Sequence, residues 1–230
     1  GMLADLRWLA LEAKYLDPAV AFYREHLDLD VRSRTDDEAR LAAGPTDLVL
    51  RRPSGVPRGG LHTHYALSIP SGGYDDWWER LSTPFDLHEE TFGAVRSLYF
   101  YDTEGNCVEL MGSDDGDEPT VTGLVEVVLE VESLDRATSF YRALGMEVVD
   151  RGANRQRVRL SAGPFDVELW EPHLGLADAR GGVHVDLGLG ADVERAVEAV
   201  ADAALAVERL DDGGARVRDP DGHYLTLRPA

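Results

Sequence analysis

One cysteine, one lysine and one isoleucine are all that this chain of 230 residues contains of those three types. Each scarcity excludes something. The lone Cys107 leaves no internal disulfide and no cysteine-based metal cluster within one chain. No apolar run approaches the roughly 18 residues that a membrane-spanning helix needs. Nothing ahead of the first amphipathic segment reads as a secretory leader, so a cytoplasmic protein is the expectation, and Gly1 before Met2 reads as a tag remnant. Lysine is confined to Lys14. The other basic residues are arginine, and 23 basic residues face 43 acidic ones for a net charge of −20. Nucleic acid and anionic membrane are therefore poor partners. An acidic, lysine-poor surface suits a halophilic protein, because concentrated salt screens its self-repulsion. A GC-rich genome, which favours Arg, Ala and Asp, would produce the same composition.

What the chain does have is repetition. Leu16-Asp17-Pro18-Ala19-Val20-Ala21-Phe22-Tyr23-Arg24 returns as Leu134-Asp135-Arg136-Ala137-Thr138-Ser139-Phe140-Tyr141-Arg142, an offset of 118. Gly44-Pro45-Thr46-Asp47 returns as Gly163-Pro164-Phe165-Asp166, and Glu104-Gly105 through Glu109-Leu110 returns as Asp221-Gly222 through Thr226-Leu227. A nearly constant shift over three segments marks a tandem duplication. With 43% hydrophobic residues each copy can build a core, so two domains are expected, 1–113 and 120–230, joined by an acidic linker at 114–119.

Each copy has the same element order. A strand of alternating apolar residues (6–13; 124–132) precedes an amphipathic helix with the Phe-Tyr pair, then two or three short strands ending at the Gly-Pro segment. After a glycine junction the pattern restarts with a strand (62–69; 183–189), a helix (74–81; 193–203) and three strands. The last two are joined by a turn at Glu104-Gly105 or Asp221-Gly222. The fold class is α+β, a βαβββ unit used four times.

The opening strand before Leu-Asp-x-Ala-x-x-Phe-Tyr-Arg, the strand His64-Tyr65-Ala66-Leu67-Ser68 and the Asp/Glu-Gly-x-x-x-Glu-Leu ending carry a resemblance. In this order the chain resembles the vicinal-oxygen-chelate superfamily of glyoxalases, extradiol dioxygenases and fosfomycin and bleomycin resistance proteins. The resemblance covers essentially the whole chain, once per copy. It implies paired βαβββ units forming cup-shaped sheets around a divalent metal. It also implies ligand positions at Trp8, Val49, His64 and Glu109 in the first copy and at Glu126, Glu168, His184 and Thr226 in the second. Neither set is complete. If each site takes its first pair from one copy and its second pair from the other, as in glyoxalase-like members, Glu126 and Glu168 meet His64 and Glu109. The reciprocal set of Trp8, Val49, His184 and Thr226 is degenerate.

Strand alternation supports the first set. Glu126, Val128 and Glu130 share one face, and Val127, Leu129 and Val131 the other. Three carboxylates in one cavity repel one another and are costly to desolvate, so without a cation one would take a proton. Oxygen and imidazole ligands without sulfur suit Zn, Ni, Mn, Co or Fe(II). His62, two residues from His64, is a possible substitute ligand, whereas Cys107 reads as packing.

The resemblance implies a metal-dependent lyase or isomerase that binds two neighbouring oxygens of a small molecule, with Glu109 or Glu168 moving a proton. Glu12 and Glu130 stand where glutathione-using members carry arginine, so a glutathione conjugate is not the expected substrate. An extradiol-type dioxygenase and a metal-free binding protein are the alternatives. The first needs two histidines, hence His62. As an assembly, a monomer or a homodimer is expected.

Overall fold

Four βαβββ modules follow one another along the chain, and the computed structural model describes them over residues 1–53, 63–154, 156–171 and 186–230. The first is β1 Leu3–Glu12, α1 Leu16–Leu27, β2 Val31–Arg34, β3 Glu38–Ala43 and β4 Thr46–Arg51. The second is β5 His64–Pro70, a 3-10 turn at Ser71–Gly73, α2 Tyr74–Ser82, β6 His88–Phe92, β7 Val95–Tyr101 and β8 Cys107–Asp114. The third is β9 Gly123–Glu130, α3 Leu134–Ala143, β10 Glu147–Asp150, β11 Arg157–Ser161 and β12 Asp166–Trp170. The fourth is β13 Asp186–Ala191, α4 Val193–Val200, β14 Ala206–Arg209, β15 Ala215–Arg218 and β16 Tyr224–Pro229.

The helices follow from apolar spacing. In α1, Leu16, Ala19, Val20, Phe22, Tyr23 and Leu27 fall on one face and are buried. Phe22 and Phe140 are both buried at equivalent places. Ser133 caps α3 by accepting from the Arg136 backbone N–H, and Asp192 does the same for α4 through Arg195. Among the described residues no helix is long and apolar enough to cross a membrane.

Among the described residues, sixteen strands form two eight-stranded mixed sheets. One has the order β14-β15-β16-β13-β1-β4-β3-β2, the other β10-β11-β12-β9-β5-β8-β7-β6. Each therefore combines one module of the first copy with one of the second. The boundaries 1–113 and 120–230 delimit the sequence copies, and the sheets are not divided along them. The second sheet is built from a continuous run of modules, from β5 to β12.

One local expectation needs correction. Gly44-Pro45 and Gly163-Pro164 are turns that open the next strand, since Asp47 and Asp166 already lie on β4 and β12. Gly44 has φ +61°, and a Cβ there would stand 2.0 Å from the Thr122 carbonyl oxygen, so only glycine fits. The acidic linker at 114–119 begins inside β8, which runs to Asp114. Its backbone then packs on the 3-10 turn: the Gly72 N–H donates to the Gly116 carbonyl at 2.9 Å.

The repeated tyrosine makes the same hydrogen bond in both copies. Tyr23 donates to Asp102 Oδ2 at 2.6 Å, and Tyr141 donates to Asp219 Oδ2 at 2.7 Å. Each aspartate uses its other oxygen to accept backbone N–H groups of its own hairpin turn. The helix of one module is thereby fastened to the turn that starts the last strand of the next.

Candidate metal centre

β5 and β8 run parallel, with His64 opposite Cys107 and Ala66 opposite Glu109. β9 and β12 also run parallel, with Asp166 opposite Glu126 and Glu168 opposite Val128. On β9, Val127 and Leu129 point into the core, which leaves Glu126 on the other face, as alternation requires. His64, Glu109 and Glu126 are buried, at 5%, 2% and 5% exposure. Each offers one ligand atom within 4.8 Å of the others.

The donor set fits a dication. Two ligands on opposite sides of an ion at about 2.0–2.3 Å stand about 4.0–4.6 Å apart, and neighbouring ligands stand closer. One imidazole and two carboxylates suit a borderline or hard transition ion. His64 Nε2 lies 3.0 Å from Glu109 Oε1. Burial alone would pull the imidazole pKa down; hydrogen bonds to Cys107 and Glu109 outweigh it and push it up to about 10. Cys107 stands opposite His64 in the β5–β8 register and is buried.

Glu168, the fourth expected ligand, is buried on β12 but lies outside that group of three. Its Oε1 accepts from Arg157 Nη1 at 3.2 Å and from the Trp170 indole N–H. Arg159 Nη1 donates to Glu126 Oε2 at 3.5 Å, and its Nε lies 3.6 Å from Asp166. Burial works against the charge of Arg159, but Glu126, Asp166 and Glu168 overcome it and raise its pKa. The carboxylates therefore need not take up a proton to coexist. Arg157 and Arg159 already supply positive charge, and their signal was the Arg-x-Arg alternation on β11 opposite Trp170 and Glu168.

No protein-family profile matches the sequence. Among known proteins the chain is similar to the metallothiol transferase FosB of Staphylococcus haemolyticus, 22% identical over 116 residues, which are 47% of this chain and 84% of that protein. Glyoxalase I from Zea mays superposes with a TM-score of 0.67 at 21% identity, over 97% of this chain and 92% of that one. A candidate dioxygenase from Bacillus subtilis superposes with a TM-score of 0.72 at 16% identity, over 98% and 85%. The chain has the vicinal-oxygen-chelate fold.

Within that fold, the reciprocal positions Trp8, Val49 and Thr226 lie on the other sheet. His184, like His62, lies outside the described residues. By register it is Asp186, opposite Tyr224 two residues before Thr226, that takes the place of His64, opposite Cys107 two residues before Glu109. The Asp186 carboxylate accepts from the Trp8 indole N–H at 3.3 Å and from Thr226 Oγ1 at 2.8 Å. The Trp8 ring lies over Gly188, where a Cβ would meet it at 2.0 Å. Val49, at the place of Glu168, is fully buried. An indole, a hydroxyl and an isopropyl group stand where the other sheet has three carboxylates, and the Asp186 carboxylate stands where it has an imidazole.

Proposed function

We propose that this protein is a divalent-metal-dependent lyase or isomerase of the glyoxalase type, acting on a small molecule with two neighbouring oxygens. The single observation that carries the reading is the buried group of His64, Glu109 and Glu126. These residues would hold the ion, with Zn, Ni, Mn, Co and Fe(II) all compatible with the donors. A bound dication would act as a Lewis acid on the two substrate oxygens. Glu168 is the carboxylate left over from that group, and it accepts or returns the substrate proton while Arg157 and Trp170 fix its orientation. The other sheet, with Asp186 held by Trp8 and Thr226, is assigned no ion. Glu12 and Glu130 argue against a glutathione conjugate.

The extradiol reading ranks lower because a single histidine stands in the described group. FosB is a metallothiol transferase by name, and its likeness spans only 47% of this chain. A calorimetric titration with Mn(II), Ni(II) and Zn(II) tests the proposal. One equivalent per chain is expected, with His64→Ala and Glu109→Ala abolishing uptake and Glu126→Gln only weakening it, since an amide oxygen still coordinates. No uptake by the parent protein would leave a metal-free binding protein, and oxygen consumption by the loaded protein would favour the dioxygenase.

A further inference from the structure

The sequence Arg157-Val158-Arg159-Leu160-Ser161 alternates along β11. Val158 and Leu160 are buried in the core, so Arg157, Arg159 and Ser161 share the opposite face. Cross-strand register sets Arg159 opposite Glu168 and Arg157 opposite Trp170. Each guanidinium reaches a carboxylate side chain only 6% exposed, yet is itself about one-third exposed, at 33% for Arg157 and 35% for Arg159. Both residues therefore connect the buried carboxylates to solvent.

Two physical points separate this pair from ordinary counter-ions. A guanidinium has five donors in a planar fork that matches the paired oxygens of a carboxylate or phosphoryl group. Arg159 meets Glu126 through Nη1 and Asp166 through Nε, and Arg157 meets Glu168 through Nη1 and Asp150 through Nη2. Neither pattern uses the whole fork. Moreover, a chain of net charge −20 repels anions everywhere except where cations are gathered.

We infer that Arg157 and Arg159 form an oxyanion subsite beside the candidate metal centre, so that the substrate carries a carboxylate or phosphoryl group next to its chelating oxygens. The inference rests on the proposed function and narrows its substrate class. Were a dication to engage Glu126, the Nη1 of Arg159 would be released for the ligand while its Nε stays beside Asp166. The pair acts by binding and orientation.

Calorimetry on Mn(II)-loaded protein with oxalate and with acetohydroxamate tests this. Both chelate through two oxygens, but only oxalate presents further anionic oxygens beyond them. Arg157→Met and Arg159→Met should each weaken oxalate binding about tenfold or more, the scale of a charge-assisted hydrogen bond, and change acetohydroxamate binding less than about twofold. Arg159→Lys, which keeps the charge without the fork, should fall between parent and Arg159→Met. Equal weakening of both probes, or unchanged oxalate binding, would overturn the subsite. The same variants titrated with oxalate in metal-free protein should show the same arginine dependence at lower affinity. A parent that takes up no Mn(II) would therefore sink the metal reading while still testing this one.

Discussion

Tyr23 and Tyr141 occupy the same place in the two copies, which makes them an internal control for a worked prediction. Both phenols are fully buried, and burial followed by the neighbouring aspartate raises each pKa well above the ordinary tyrosine value, so both stay neutral donors. Tyr141→Phe removes one hydrogen bond to Asp219, whose other oxygen keeps the N–H groups of Asp221 and His223. The cost should be about 1.5–3 kcal/mol, the value for a hydrogen bond to a charged group. Tyr23→Phe removes the matching bond to Asp102 and also strands Tyr65, whose hydroxyl donates to Tyr23 at 2.7 Å inside the core. That second loss adds about 1–3 kcal/mol for an unsatisfied buried donor. At about 2–4 °C per kcal/mol for a chain of this size, Tyr23→Phe should melt several degrees below Tyr141→Phe. Adding Tyr65→Phe to Tyr23→Phe should return part of the loss, because the stranded hydroxyl is gone. Thermal melts and urea titrations of the parent, of Tyr141→Phe, Tyr23→Phe and Tyr65→Phe, and of the double variant provide the test. Equal costs for the two single variants, or a strictly additive double variant, would refute the claim that the Tyr23–Tyr65–Asp102 chain is worth more than its counterpart.

Two further predictions concern charge. With 43 acidic residues against 23 basic ones, the melting temperature should climb across a KCl series into the molar range; a flat or falling curve would leave genome composition as the account of the acidity. Arg80 donates to both oxygens of Asp28, at 2.5 and 3.0 Å, and this hydrogen bonding chiefly holds the Asp28 carboxyl below its usual range. A depressed carboxylate stabilises above its unfolded pKa and loses that contribution as pH falls through the folded value. Arg80→Leu should therefore cost less than about 1 kcal/mol at neutral pH, given the exposure of the pair, and the gap from the parent should close in acid below about pH 3. A gap that persists or widens there would contradict the pairing.

Much of the fold was legible because the duplication showed it twice. Alternation alone placed Glu126 on one face and Val127 and Leu129 on the other, and the hairpin turns at Gly105 and Gly222 fell where the motif put them, each with positive φ. Sheet partnership was not legible from residue patterns, because contacts distant in sequence decide which module pairs with which; only the resemblance pointed to pairing across the copies. The place of His64 in the second copy was misread as His184 because a repeat offset assumes equal junction lengths, whereas strand register points to Asp186. Arg157 and Arg159 were missed for a different reason. In a chain rich in Arg and Asp, one Arg-x-Arg strand stands out only when its cross-strand neighbours are known to be Glu168 and Trp170.

Anomalous diffraction from crystals of the Mn(II)-loaded protein would locate the ion. One strong peak per chain is expected, within about 2.0–2.3 Å of His64 Nε2 and of one carboxylate oxygen each from Glu109 and Glu126. No peak is expected beside Trp8, Asp186 and Thr226. A peak at that second place, or none near His64, would contradict the proposed metal centre.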